Sequence, residues 1–121
     1  MDDKESTLKK FQKELNSGIA SLVLLGVMAN SSEPLYGYQI ARQIGAGQKE
    51  GLSMKQGALY PVLRSLENSA LLQSHVEPSI SAPPRRYYQI TPAGKEVYQE
   101  WKTVWEQTRN YVDATLKGTR S

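Results

Sequence analysis

Three side chains able to hydrogen-bond and stack recur at a helical interval in the stretch MKQGALYPVLRSLENSALL, Met54 to Leu72. They are Gln56, Tyr60 and Arg64, at i, i+4 and i+8. An amide, a phenol and a guanidinium on one face can read base edges and grip phosphate, whereas solubility alone asks for no such set. Lys55, Gln56 and Tyr60 stand early enough in the predicted helix to approach bases, and Arg64 can reach bases or phosphate. The same stretch places Leu59, Val62, Leu63 and Leu66 on a stripe that faces a core.

Charge supports this chemistry locally rather than globally. Lysine and arginine number 15 against 12 acids, a formal charge of +3 that names no partner by itself. From Arg42 to Arg86 the basic residues are Arg42, Lys49, Lys55, Arg64, Arg85 and Arg86, against Glu50, Glu67 and Glu77, so the excess gathers around the candidate reader. Arg85 and Arg86 are neighbours in a predicted strand and point to opposite faces, so no more than one need meet DNA. Tyr36 and Tyr38 can hydrogen-bond phosphate from the preceding helix, or can pack their rings into the core.

Enzymatic chemistry finds little to use. His75 is the only histidine and falls in a predicted strand, and there is no cysteine, no glycine-rich phosphate loop and no metal-binding pattern, so no cofactor or metal is expected. "GAG" at Gly45 to Gly47 reads as a helix stop. The apolar run Ile19 to Ala29 is shorter than the roughly 20 residues a membrane span needs, and no signal-peptide layout precedes it. A soluble, cytoplasmic chain with one core is expected.

The elements that must position the reader follow from periodicity. A helix is predicted from about Thr7 to Ala29, with Asn16, Ser17 and Gly18 able to bend it. A loop follows, with Ser32 as a possible cap and Pro34 near a helix start, and then a second helix over YGYQIARQIGAG, stopped by Gly45 and Gly47. Ser53 and Gln56 have the spacing of a capping box at the start of the reader helix, in which Pro61 predicts a local bend. After Leu71 the period changes to 2. LLQSHV and RRYYQIT flank a proline-rich tip and predict a hairpin, and Thr91 with Pro92 opens a last helix that runs to Gly118.

Three helices, a two-stranded hairpin and a long closing helix make a mostly α fold with a small β-hairpin, in winged helix-turn-helix order. The expected division is a reading unit over 1–91 and a closing helix over 92–118. The residues go further than the order does. LYGYQI, GALYPVLRSLENSALL and PPRRYYQITPAGKE, in sequence and suitably spaced, resemble the signatures of PadR-type transcriptional regulators, and the resemblance covers Ser17 to the end. It departs at Ala70, where the family usually has glycine in a turn whose left-handed backbone only glycine enters freely.

The single terminal helix resembles the family's shorter branch, which implies a homodimer built from the last helix and the partner's first helix. The sequence supports this independently. Val97, Tyr98, Trp101, Val104, Trp105, Thr108, Tyr111, Val112 and Leu116 form a stripe too wide for a lone exposed helix. Some relatives of this architecture bind flat aromatic compounds between the two dimerisation helices, and the resemblance implies Trp101 as the stacking residue. The alternative for the i, i+4 pair Trp101 and Trp105 is interface packing. The expected function is a dimeric, DNA-binding repressor of transcription that reads a palindromic operator on double-stranded DNA, with release by a small aromatic ligand as a possible control. The alternative is a winged-helix module for protein assembly without DNA binding.

Overall fold

In the computed structural model, which describes residues 3–45 and 56–118, the first amphipathic segment forms helix α1, Asp3–Ala29. It begins four residues before the predicted Thr7, with Asp3 and Glu5 complementing the positive end of the helix dipole, and continues through Asn16 to Gly18. Its first four turns project beyond the core, while Leu24, Leu25 and Met28 are fully buried.

The segment after α1 differs from expectation. Ser31, not Ser32, organises the loop: its hydroxyl accepts from the Glu33 N–H at 3.3 Å and donates to the Glu33 carbonyl at 2.6 Å. Leu35–Tyr36 then forms a strand, β1, so Pro34 precedes a strand rather than a helix. Helix α2 occupies Gly37–Gly45. Its start is held by Gln39, whose side-chain oxygen accepts from the Tyr36 N–H at 3.0 Å, half of a capping box that leaves Ser32 no capping role.

Helix α3, Gln56–Asn68, continues through Pro61. The pyrrolidine falls in the second helical turn, where its missing N–H removes the bond to the Gly57 carbonyl. Ser53, Lys55 and Gly47, and with them the expected capping box, lie outside the described residues. The helix ends in a Schellman turn. The Leu71 N–H donates to the Leu66 carbonyl at 3.0 Å and the Ala70 N–H to the Glu67 carbonyl at 2.9 Å, with Ala70 at φ 64°. Leu66 and Leu71 are both buried, which gives the turn its apolar clasp.

Strands β2, Leu72–Glu77, and β3, Arg85–Ile90, pair antiparallel from Leu72↔Ile90 to Glu77↔Arg85. β1 adds to the other edge of β3 through Leu35↔Tyr88 and Tyr36↔Tyr87, so the expected two-stranded hairpin is a three-stranded sheet in the order β1-β3-β2. Two residues are too few to show a period of 2, which is why β1 left no trace in the pattern. The inner face of the sheet, with Leu35, Leu72, Tyr88 and Ile90, joins Leu24, Leu25, Met28, Ile40, Leu59 and Leu63 in one core. Each of these large side chains contributes roughly 1.5–3 kcal/mol by leaving water.

Helix α4, Pro92–Lys117, closes the chain. The Thr91 hydroxyl accepts from the Gly94 N–H at 2.9 Å and donates to the Ala70 carbonyl at 2.8 Å, while the Thr91 N–H donates to the Leu71 carbonyl at 3.0 Å. One residue thus caps α4 and ties it to the exit of α3. Gly118 at φ 72° ends the helix. The architecture is mostly helical with a small antiparallel sheet, a winged helix with a long terminal helix.

Candidate nucleic-acid interface

The phase of α3 is set by Leu59, Leu63 and Leu66, which are buried and so turn Tyr60 and Arg64 outward. Arg64 is exposed. Tyr60 is 38% exposed because its ring lies across the start of α2: a β-carbon on Gly37 would meet the Tyr60 hydroxyl and stand 2.9 Å from its Cζ. Glycine at 37 is therefore what lets the tyrosine rest there. The side chain of Gln56 and all of Lys55 lie outside the described residues.

Tyr60, Arg64 and Glu67 share one face of α3 by their i, i+4, i+7 spacing. All three act electrostatically on the Tyr88 hydroxyl, as does Arg86 two residues earlier on the same face of β3. Burial raises the Tyr88 pKa above the ordinary phenol value. Arg86 opposes that rise, Glu67 and Tyr60 add to it, and Arg64 opposes it. The guanidinium of Arg86 donates from Nη1 to the Ser74 hydroxyl at 2.9 Å, and that hydroxyl donates to Glu67 Oε2 at 2.6 Å. Arg86 on β3 is thus tied through Ser74 on β2 to Glu67 at the end of α3, the helix that carries Tyr60 and Arg64. One cation on the reader helix and one on the wing, both acting on the same phenol, suit the negatively charged backbone of a nucleic acid.

Arg85 stands on the opposite face, as its position beside Arg86 required. Its Cζ lies 4.4 Å from the centroid of the Tyr36 ring. Tyr36 meets Tyr87 edge-on at 5.4 Å and stacks with Tyr38 at 6.5 Å, and Arg42 lies 5.9 Å from the Tyr38 centroid. His75 stacks on Tyr87 at 5.7 Å and hydrogen-bonds Glu77 at 3.0 Å. These contacts bind β1, the wing and α2 together on the outer side. Tyr38 and Arg42 remain exposed there.

The structure thus brings Tyr60, Arg64 and Arg86 to the side of the wing that carries Tyr88 and sets Tyr36, Tyr38 and Arg85 on another face. Gly37, Glu67, Ser74 and Tyr88 were missed as members of the site. A period of 2 already puts Ser74 on the side of Leu72, and Glu67 follows Arg64 by three residues on α3, so both signals were available.

The α4 stripe divides. Val97, Tyr98 and Trp101 pack against the chain's own core, with the Tyr98 ring 3.3 Å from where a β-carbon on Gly26 would be. Val104, Trp105, Thr108, Tyr111, Val112 and Leu116 are exposed, Tyr111 at 73% and Leu116 at 78%. α1 and α4 diverge here around an open cleft of about 910 Å³, lined by Leu15, Ile19, Leu22, Trp101, Val104 and Trp105 among others. Beyond it Leu8 and Phe11 of α1 are exposed as well. Among the described residues there is no cluster of potential metal ligands, and no helix is long and apolar enough to cross a membrane.

The chain belongs to the transcriptional regulator PadR-like family, whose profile matches residues 24–100. Its fold is similar to the crystal structure of a PadR family transcriptional regulator from Eggerthella lenta, with 27% identity, a TM-score of 0.81, and coverage of 96% of this chain and 97% of that one. A PadR-like transcriptional regulator from Bacillus cereus is 26% identical at a TM-score of 0.69, covering 88% of this chain and 99% of that one. Bacillus subtilis PadR, solved in complex with operator DNA, shares the fold at 20% identity and a TM-score of 0.61, over 69% of this chain and 46% of that one. No match was found among curated proteins.

Proposed function

We propose that this family member is a homodimeric repressor that binds an inverted-repeat operator. The observation that carries the reading is that Arg86 of the wing is tied through Ser74 to Glu67 at the end of α3, on the helix whose outward face carries Tyr60 and Arg64. Lys55, Gln56 and Tyr60 approach base edges in the major groove, Arg64 and Arg86 grip the backbone, and Tyr36, Tyr38 and Arg85 support the flank. Replacing a base contact, as in Gln56→Ala or Tyr60→Phe, is expected to cost about 1–3 kcal/mol at particular operator positions. Arg64→Ala is expected to weaken all sequences alike and flatten the salt dependence by about one unit. Binding isotherms across a salt series, on operator and on scrambled duplex, test this division. Unchanged binding in all three variants would remove the assignment of this face.

The dimer is assigned to the exposed part of α4, Val104 to Leu116, with Trp101 at its margin and the partner's first helix in the cleft. Two Trp101 rings related by a twofold axis would face each other across the interface and offer flat, polarizable surfaces to an aromatic effector. Such an effector releases DNA only by preferring a dimer whose reader helices are wrongly spaced.

A further inference from the structure

We propose that Ser74 and Glu67 are positioning residues that hold Arg86 in its phosphate-gripping orientation. The inference rests on the reading of Arg86 as a backbone contact. A serine hydroxyl has one proton to give and two lone pairs to offer. At Ser74 the proton goes to Glu67 Oε2 at 2.6 Å, a short bond, and this turns the lone pairs toward Arg86 Nη1 at 2.9 Å. The direction of the relay is therefore fixed from the helix outward.

Geometry gives this relay its purpose. Arg86 sits near the loop end of the hairpin, where β2 and β3 run beyond the core and the paired Val76 is itself exposed. Among the described residues Ser74 is its one hydrogen-bond partner, and a long side chain gives up much rotamer freedom when it grips a phosphate. Ser74, half-buried two pairs inward on β2, and Glu67, half-buried at the end of α3, bear that ordering before DNA arrives. One Nη1 bond leaves four of the five guanidinium N–H groups available for phosphate.

The test uses the full chain and a fluorescein-labelled mixed-sequence duplex, titrated over a salt series so that no operator need be known. Arg86→Ala is expected to reduce affinity about tenfold and to lower the salt slope. Ser74→Ala leaves the net charge unchanged yet is expected to reproduce most of both effects, while Ser74→Thr, which keeps the hydroxyl, retains wild-type binding. In the Arg86→Ala background Ser74→Ala is expected to add nothing, an outcome that general weakening of the fold would not produce. Wild-type binding by Ser74→Ala while Arg86→Ala is impaired, or additive losses in the double variant, overturns the relay alone. Wild-type binding by Arg86→Ala overturns the phosphate contact and the relay together.

Discussion

Gly94 lies directly beneath the carbonyl of Leu71, so close that a β-carbon would overlap that oxygen and stand 2.7 Å from Ile90 Cγ1. The same carbonyl receives the Thr91 N–H, and Thr91 caps the helix in which Gly94 sits. The start of α4 and the exit of α3 are thus pressed together through backbone. We predict that Gly94→Ala is destabilising by about 2–3 kcal/mol, because backbone cannot move aside as a side chain can. Denaturant unfolding measures this, and a loss below about 0.5 kcal/mol would contradict the contact.

Ala70 carries the opposite expectation. It is the only non-glycine among the described residues with positive φ, and it occupies the position of a Schellman turn that glycine normally fills. An alanine there costs about 1–2 kcal/mol, partly offset by the extra freedom glycine has in the unfolded chain. Ala70→Gly is expected to raise stability by about 0.5–1 kcal/mol with DNA binding unchanged. A lower midpoint of thermal unfolding would contradict it.

Much of this fold is legible in the sequence because its long elements announce their period. The α3 stripe of Leu59, Leu63 and Leu66, the Thr91-Pro92 start of α4 and the two runs of the hairpin all lie where their spacing places them. β1 is not legible, since Leu35 and Tyr36 form strand only by pairing with β3, a contact more than fifty residues away in the chain. At the site, periodicity gives the face that Tyr60 and Arg64 share but not what that face meets. That Tyr60 rests on Gly37, and that Glu67 reaches Arg86 through Ser74, depend on how α2 and the wing pack against α3.

Tyr88 makes stability sensitive to alkali. Burial holds its phenol protonated above the ordinary pKa of about 10, so the folded chain keeps the proton more tightly than the unfolded chain does. Its contribution to stability is whole below about pH 10 and is lost as pH rises through the raised folded value. Tyr88→Phe is expected to flatten the fall of stability above pH 10, read by denaturant unfolding along a pH series. An identical alkaline profile in the variant would remove Tyr88 as its source.

The distal α4 stripe tests the assembly. Val112→Asp puts a charge on the exposed apolar stretch between Val104 and Leu116 and is expected to yield a folded monomer by sedimentation, with operator affinity collapsing as two half-sites cease to be held together. A dimer that survives the substitution would place the interface elsewhere.

Trp101 tests the effector. Planar aromatic compounds are expected to quench tryptophan fluorescence in the wild type, to do so much less in Trp101→Ala, and to weaken operator binding. Quenching that survives the loss of Trp101, or ligand and DNA that bind independently, would return Trp101 to packing.

Selection of bound fragments from random duplex DNA tests the central claim most directly. A dimer presenting two copies of α3 is expected to recover an inverted repeat whose half-sites lie about 34 Å apart, one turn of the duplex, and Arg64→Ala with Arg86→Ala is expected to abolish the enrichment. Recovery of no common sequence at physiological salt, by a protein that is folded and dimeric, would contradict operator recognition and favour a winged helix used for assembly between proteins.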